Sequence, residues 1–325
     1  MMVRRELLLG AGAVVGMAGA ATIAGKATRA PAAAPDKDLA AEAAYPPLGR
    51  IIDVAGEKVH ATDQGSGQPV VMIHGASGNL RDFTFDLTEP LATRFRVVAM
   101  DRPGFGYSTR ASDENAWTPF AQASQLRAAA KQMGVEKPIV VGHSWGAAVA
   151  LAWAIDAPDE VAGVVTASGA MMPWGGLADF AALIGVGDAG ARWYARRLSE
   201  RAETGGIADF ITRAFRPQRP PPGYIEYIGG ELAVRARTLA ANTQDFANIQ
   251  AAMRMLEPRY RDLNIPIEVI HGDEDWLLDF DRHALGAAKL LPQAKVTRLN
   301  GVGHMAHHAS PETLNAAIAR IAGST

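Results

Sequence analysis

Short apolar runs that end in glycine-containing or polar loops recur along this chain and alternate with helix-like stretches. The runs lie at residues 69–75, 96–106, 137–144, 161–169, 265–275 and 294–304. The helix-like stretches include residues 117–133, 145–157, 281–291 and 311–322. Strands that are apolar on both faces and alternate with helices are typical of a parallel sheet covered on both sides. We therefore expect an α/β fold with a mostly parallel, doubly covered sheet.

Size and composition exclude several classes of protein. The chain has 325 residues, 48% of them hydrophobic, which is enough for a large core in one big domain or two modest ones. Its net charge is −2, whereas nucleic-acid-binding proteins usually have a strongly basic surface, so we expect no nucleic-acid partner. The absence of cysteine excludes disulfides, thiolate metal ligands and a cysteine nucleophile. No metal-ligand cluster is apparent, and we expect no metal and no cofactor.

The N-terminal segment does not fit the repeating pattern. Arg4 and Arg5 precede an uncharged, moderately apolar run over residues 7–25, the layout of an export signal. The paired arginines resemble a bacterial twin-arginine signal. We expect residues 1–30 to direct export to the periplasm or the medium. An uncleaved membrane anchor over residues 7–25 is the alternative, and a disordered arm is the third interpretation. The Ala- and Pro-rich residues 31–49 are expected to form a flexible linker.

A long helical stretch interrupts the alternation. No strand-like run occurs between residues 173 and 261, which predicts a helical cap inserted before the penultimate core strand. The core then comprises residues 50–172 and 262–325. Residues 191–262 carry 12 arginines against eight acidic residues. We interpret this excess as a solvated helical face rather than a clamp for an anionic substrate. The apolar and aromatic residues of the cap favour a pocket for an apolar substrate.

The candidate catalytic residues follow the predicted strands. Ligands of open parallel sheets bind beyond the carboxyl ends of the strands, so these loops are where chemistry is expected. Ser144, an acid-rich loop over residues 273–279 and His304 follow three different strands in that order. A serine needs a base in contact to act as a nucleophile, and the base needs an acid to hold its tautomer. The acid remains open at this point among Asp273, Glu274, Asp275 and Asp279.

The sequence Gly-His-Ser-Trp-Gly at residues 142–146 explains why a serine stands between two glycines. A sharp turn from strand to helix strains the serine backbone, and glycines on either side allow the strand and the helix to approach closely. The backbone N–H of Trp145, at the start of the helix, then points to where an oxyanion would form.

Five segments of the chain match a known family; they are "HGASG", "DRPGFGYS", "GHSWG", "HGDED" and "GVGHMAHHASPE". With them, the chain resembles the α/β-hydrolase fold superfamily, lid-bearing serine hydrolase branch, over about residues 50–322. The resemblance implies Ser144 as nucleophile and His304 as base, with the Ala76 backbone N–H as second oxyanion donor. The spacing of the family selects Asp275 as the acid, with Asp273 as runner-up. His307 and His308 are rivals of His304 that we interpret as polar residues at a helix entrance, and Asp101 and Arg102 as structural.

The resemblance implies a serine esterase acting on a small-molecule substrate with an apolar acyl or alcohol part. Haloalkane dehalogenases and epoxide hydrolases use aspartate at the nucleophile position, so Ser144 argues against both. Peptide or amide cleavage, lactone opening and carbon–carbon bond hydrolysis stay open, as do a ligand-binding protein that retains the triad and cofactor-independent oxygen chemistry. A membrane tether is expected only through the N-terminal segment.

Overall fold

The computed structural model describes residues 35–173 and 206–323. The predicted export signal or anchor at residues 1–30 lies outside the described residues, as do residues 174–205 of the predicted cap. Within the described ranges, no helix is both long and apolar enough to cross a bilayer.

In the described part of the chain, eight strands form one sheet. They are β1 (Arg50–Val54), β2 (Glu57–Ala61), β3 (Pro69–Ile73), β4 (Arg96–Met100), β5 (Ile139–His143), β6 (Gly163–Ala167), β7 (Ile267–Gly272) and β8 (Ala294–Leu299). Their spatial order is β1-β2-β4-β3-β5-β6-β7-β8. The pairs β1–β2 and β2–β4 are antiparallel and all the others are parallel. The predicted fold class is confirmed.

Helices cover the sheet and follow most of its strands. The α-helices are α1 (Pro35–Ala44), α2 (Arg81–Thr84), α3 (Thr88–Ala92), α4 (Pro119–Gln132), α5 (Trp145–Asp156), α6 (Gly206–Phe215), α7 (Tyr224–Tyr227), α8 (Ala236–Ala247), α9 (Ile249–Leu256), α10 (Gly286–Ala288), α11 (Ala306–Ala309) and α12 (Pro311–Ala322). Short 3₁₀ turns occur at Pro158–Glu160, Gly230–Val234 and Glu257–Asp262. The helix predicted at 281–291 instead starts as a π-helical turn, Asp281–Leu285.

The central strand β5 shows why the strands are apolar throughout. Every residue of β5 is buried. Because side chains alternate between the faces of a strand, Val140 joins the core beneath α5 while Val141 joins the core beneath α12. A strand buried on both faces has no polar side, as the sequence predicted.

The segment predicted as a flexible linker contains a helix. Residues 31–49 include α1, whose Glu42 carboxylate accepts a hydrogen bond of 2.6 Å from Arg235 of the cap region. The Tyr107 hydroxyl donates to the backbone oxygen of Tyr45, 2.6 Å away. The alanine-rich composition suits a helix, and these contacts hold it against the folded part of the chain. Composition alone suggested flexibility because it does not reveal tertiary partners.

Candidate active site

Ser144 occupies a strained turn between β5 and α5. Its φ angle is 51° and its ψ angle −117°, a conformation that non-glycine residues rarely adopt. A Cβ atom at Gly146 would lie 2.0 Å from the Ile73 carbonyl oxygen, and one at Gly142 would lie 2.3 Å from that of Gly146. Both glycines are therefore required for the strand and the helix to pack this closely.

The loop that was predicted to supply an oxyanion donor lies against Ser144. A Cβ atom at Gly75 would lie 3.0 Å from the Ser144 Cβ atom. Among the residues that the structure describes, no group accepts a hydrogen bond from the backbone N–H of Ala76 or of Trp145. Ala76 and Trp145 both line the cavity that contains Ser144. Backbone donors without a partner can stabilise the oxyanion of an acyl-transfer intermediate.

His304 and Asp275 form a buried pair at the carboxyl ends of β8 and β7. The distance from His304 Nδ1 to Asp275 Oδ2 is 2.8 Å. The other carboxylate oxygen of Asp275 accepts hydrogen bonds from the backbone N–H groups of Leu277 and Leu278, at 2.9 and 3.0 Å. The carboxylate is thus fixed by its own loop with one oxygen directed at the imidazole.

The Asp275 carboxylate is buried beside two histidines. Burial raises the pKa of the Asp275 carboxyl, but His304 and His271 hold it well below its usual range. His271 Nε2 lies 3.2 Å from Asp275 Oδ2. Asp275 therefore stays ionised near neutral pH.

The rival residues have other partners. Asp273 accepts hydrogen bonds from Arg298 and from the backbone of Gly301, at 3.0 and 2.7 Å. His307 and His308 both bond to Asp82, at 3.1 and 2.9 Å, and not to Asp275. Of the candidate residues, the structure brings together Asp275 and His304.

Ser144 and His304 line the same cavity of about 270 Å³. Within the described part of the chain, no hydrogen bond joins the Ser144 hydroxyl to the His304 ring. Contacts between a nucleophile and its base are often longer without substrate than in the reacting complex.

The cavity is mainly apolar. Its roof is formed in part by residues of α6, which turn apolar side chains inward; they are Ile207, Phe210, Ile211, Ala214 and Phe215. Phe246, Ile249, Leu277 and Met305 add further apolar surface. No lysine or arginine lines the cavity among the described residues.

The cap arginines with described partners point to other groups. Arg235 pairs with Glu42 at 2.6 Å, and Arg259 pairs with Asp156 at 3.1 Å. Arg213 lies over the Trp276 ring. Arg235 is buried, so the interpretation as a solvated face is wrong for this residue. None of the three arginines lines the cavity, which argues against a substrate clamp.

His74 braces the loop that carries Ala76. The backbone N–H of Arg102 donates to His74 Nε2 at 2.9 Å, and His74 Nδ1 donates to the Gly75 carbonyl oxygen at 2.8 Å. Burial and the positive charge of Arg102 lower the pKa of His74 to about 4. The ring is therefore neutral near pH 7 and holds the turn in place.

Sequence reasoning missed one polar cluster at the cavity wall. Asp82, His143 and His307 are buried, and their ligating atoms lie within 4.8 Å of one another. His143 stands next to Ser144 and His307 close to His304, so proximity to the catalytic motifs was a signal for two of the three. Asp82 lies in no motif that carries chemistry, and no sequence feature distinguished it from the acidic residues expected at the surface.

Comparisons with known proteins identify the family. A model of the alpha/beta hydrolase fold family matches residues 68–311, and the chain belongs to this family. The solved structure of a thermophilic esterase from Thermogutta terrifontis superposes with a TM-score of 0.64 at 23% identity, covering 84% of this chain and 97% of that one. At this identity the likeness shows the fold alone.

Several curated relatives are hydrolases by name. The 2-(acetamidomethylene)succinate hydrolase of Mesorhizobium japonicum is 26% identical over 265 residues, which cover 82% of this chain and 91% of the relative. The 2-hydroxymuconate semialdehyde hydrolase of Pseudomonas sp. is 37% identical over 122 residues, 36% of this chain and 41% of the relative. Several curated relatives, the latter included, are matched over only 33% to 41% of their own length.

Proposed function

We propose that this protein is a serine hydrolase that cleaves a small apolar ester, or a related acyl bond, through an acyl-enzyme. Ser144 is the nucleophile, His304 the base and Asp275 the acid that holds it. The observation that carries the proposal is the buried 2.8 Å contact between His304 and Asp275 at a cavity that also contains Ser144. The strained turn at Ser144 supports it, because such turns expose a nucleophile at the edge of the sheet.

The reaction takes place in two halves. The Ser144 oxygen attacks the substrate carbonyl carbon while His304 Nε2 accepts the hydroxyl proton. The N–H groups of Ala76 and Trp145 bind the developing oxyanion. The bond to the alcohol then breaks, and His304 returns the proton to the leaving oxygen. Water attacks the acyl-enzyme by the same route, which releases the acid and restores Ser144.

The lining of the cavity supports a neutral, apolar substrate. Desolvating a charged group against apolar side chains of α6 costs free energy that no described lysine or arginine offsets. A cavity of about 270 Å³ suits a small ester better than a long polymer.

Steady-state hydrolysis of p-nitrophenyl esters of increasing acyl length tests the proposal. We expect multiple turnover that Ser144→Ala reduces by roughly 10⁴-fold or more. Matched anilides and a vinylogous 1,5-diketone compare ester cleavage with amide and carbon–carbon cleavage. Binding of an ester without multiple turnover by the folded wild type would instead favour a ligand-binding protein that retains the triad.

A further inference from the structure

A second polar cluster borders the cavity beside Ser144. Asp82 lies on α2, His143 is the last residue of β5, and His307 lies on α11. Their exposed fractions are 4%, 4% and 1%. The proposed hydrolysis uses none of the three side chains. A buried carboxylate with two imidazoles therefore calls for a separate physical account.

The Asp82 carboxylate is held so that one oxygen faces the two histidines. Its Oδ1 atom accepts hydrogen bonds from the Tyr224 hydroxyl at 2.6 Å and from His308 Nε2 at 2.9 Å. Its Oδ2 atom lies 3.1 Å from His307 Nε2 and 3.8 Å from His143 Nδ1. The hydrogen bonds to Oδ1 therefore fix the direction of Oδ2. Carboxylates that bind metals are commonly oriented by hydrogen bonds of this kind.

His143 directs an unprotonated ring nitrogen at Asp82 Oδ2. Its Nε2 atom lies 3.2 Å from the His304 carbonyl oxygen, which only accepts, so Nε2 carries the proton. A neutral ring then has its lone pair on Nδ1. That buried atom has no hydrogen-bond partner in the described structure. A lone pair and a carboxylate oxygen thus face each other across 3.8 Å, an arrangement that a cation between them would stabilise.

His307 completes the donor set. Its Nδ1 atom also has no partner among the described groups. A carboxylate only accepts, so without a metal ion His307 Nε2 donates its proton to Asp82 Oδ2. A bound cation would displace that proton, and Nε2 would then offer its lone pair to the ion. Two imidazole nitrogens and one carboxylate oxygen are donors that zinc accepts, at bond lengths of about 2.0–2.2 Å. Tetrahedral bonds of that length separate donors by about 3.4 Å. Two of the three separations, 3.1 and 3.8 Å, bracket this value, and the third, between the two histidine nitrogens, is within 4.8 Å.

We propose that Asp82 Oδ2, His143 Nδ1 and His307 Nε2 bind one divalent transition-metal ion, with zinc preferred. Metal ligands are usually oriented by hydrogen bonds to groups outside the metal's own shell. Asp82 has two such hydrogen bonds, from Tyr224 and His308, and His143 has one, to the His304 carbonyl oxygen. Asp82 and His143 line the cavity, so a fourth coordination position faces it. The site does not depend on hydrolysis at Ser144.

Metal titration of the full, untagged chain, freed of metal by chelation, tests the proposal. Calorimetry with Zn²⁺ is expected to give one site per chain, and Co²⁺ to give the visible bands of a tetrahedral nitrogen–oxygen site. His307→Gln is expected to lower zinc affinity by at least about 100-fold, since it removes a ligand rather than an outer contact. Asp86→Asn is the matched control: Asp86 contacts His308 but is no proposed ligand, and its variant is expected to bind like wild type.

Two results would overturn the site. One is a wild-type chain that binds no zinc at about 100 μM. The other is His307→Gln binding zinc as tightly as wild type. If His307→Gln does not fold, X-ray absorption of the zinc-loaded wild type decides. Two imidazoles and one carboxylate in the zinc shell support the site, and fewer than two imidazoles contradict it.

Discussion

The Arg102 guanidinium lies 2.7 Å from the Asp245 carboxylate, and both side chains are fully buried. Asp245 belongs to α8, between β6 and β7, in the segment predicted to form a cap. Arg102 also donates to the backbone carbonyl oxygens of His74 and Gly75, at 3.0 and 3.2 Å. One buried ion pair therefore connects the cap to the loop that presents the Ala76 N–H.

Replacing the carboxylate of this pair tests its importance. Asp245→Asn keeps the shape but leaves the Arg102 charge buried without its partner, so we expect the free energy of unfolding to fall by about 3–5 kcal/mol. We also expect kcat to fall, because Arg102 would no longer be held by Asp245 where it contacts the loop that carries Ala76. Urea unfolding and ester hydrolysis measure the two effects. Asp209→Asn, at an exposed position of the cap, is the control and should change stability by less than about 0.5 kcal/mol.

The close approach of β3 to α5 predicts a strong effect of one methyl group. Gly146→Ala places a Cβ atom 2.0 Å from the Ile73 carbonyl oxygen, so strand and helix must separate. We expect a loss of stability above about 3 kcal/mol, or failure to fold. In Gly286→Ala the new Cβ atom finds its nearest neighbour at 3.5 Å, and we expect no loss. Equal melting temperatures of the two variants would contradict this account of the turn.

The contact between Asp275 and His304 predicts a loss of turnover rather than of binding. Asp275→Asn removes the charge that stabilises the imidazolium and favours the wrong tautomer, so we expect kcat to fall roughly 10⁴-fold with little change in KM. Asp273→Asn changes a neighbouring acid that binds Arg298 instead and should keep kcat near the wild-type value. Steady-state kinetics on both variants is the measurement. An active Asp275→Asn enzyme would remove Asp275 from the triad.

Two histidines buried in the neutral form predict weaker folding in acid. Burial and Arg102 lower the pKa of His74 to about 4, and burial and His271 lower that of His283 to about 3, from an ordinary value of 6.5. Between these values the unfolded chain binds protons that the folded chain does not, so stability is retained above pH 6.5 and lost toward pH 4. Each histidine contributes a slope of up to about 1.4 kcal/mol per pH unit.

Urea unfolding at pH 7.5, 5.5 and 4.5 measures how the free energy of unfolding falls in acid. His283 Nδ1 accepts hydrogen bonds from the backbone N–H groups of Met171 and Met172, so protonation there breaks both. His283→Asn is expected to flatten the dependence on pH. An unfolding free energy that stays constant from pH 7.5 to 4.5 in the wild type would contradict the burial of neutral histidines.

The local parts of the fold and site were predictable from sequence, and the long-range parts were not. Apolar runs identify β3 to β7 because each strand is buried on both faces, and the Gly-x-Ser-x-Gly spacing identifies the turn at Ser144. The pair His307–Asp82 joins residues 225 positions apart, and Arg102–Asp245 joins residues 143 positions apart. Arg102 and His307 lie in quoted motifs, but their partners Asp245 and Asp82 do not, so only the folded chain brings each pair together. The export signal at residues 1–30 stays a prediction.

The most direct test of the central claim is labelling of the full chain with a fluorophosphonate probe, followed by mapping of the modified peptide. An activated serine is required for this reaction, so we predict one label per chain, on Ser144, and its loss in both Ser144→Ala and His304→Ala. A folded wild type that takes no label, or a label on another residue that persists in His304→Ala, would contradict the assignment of Ser144 and His304.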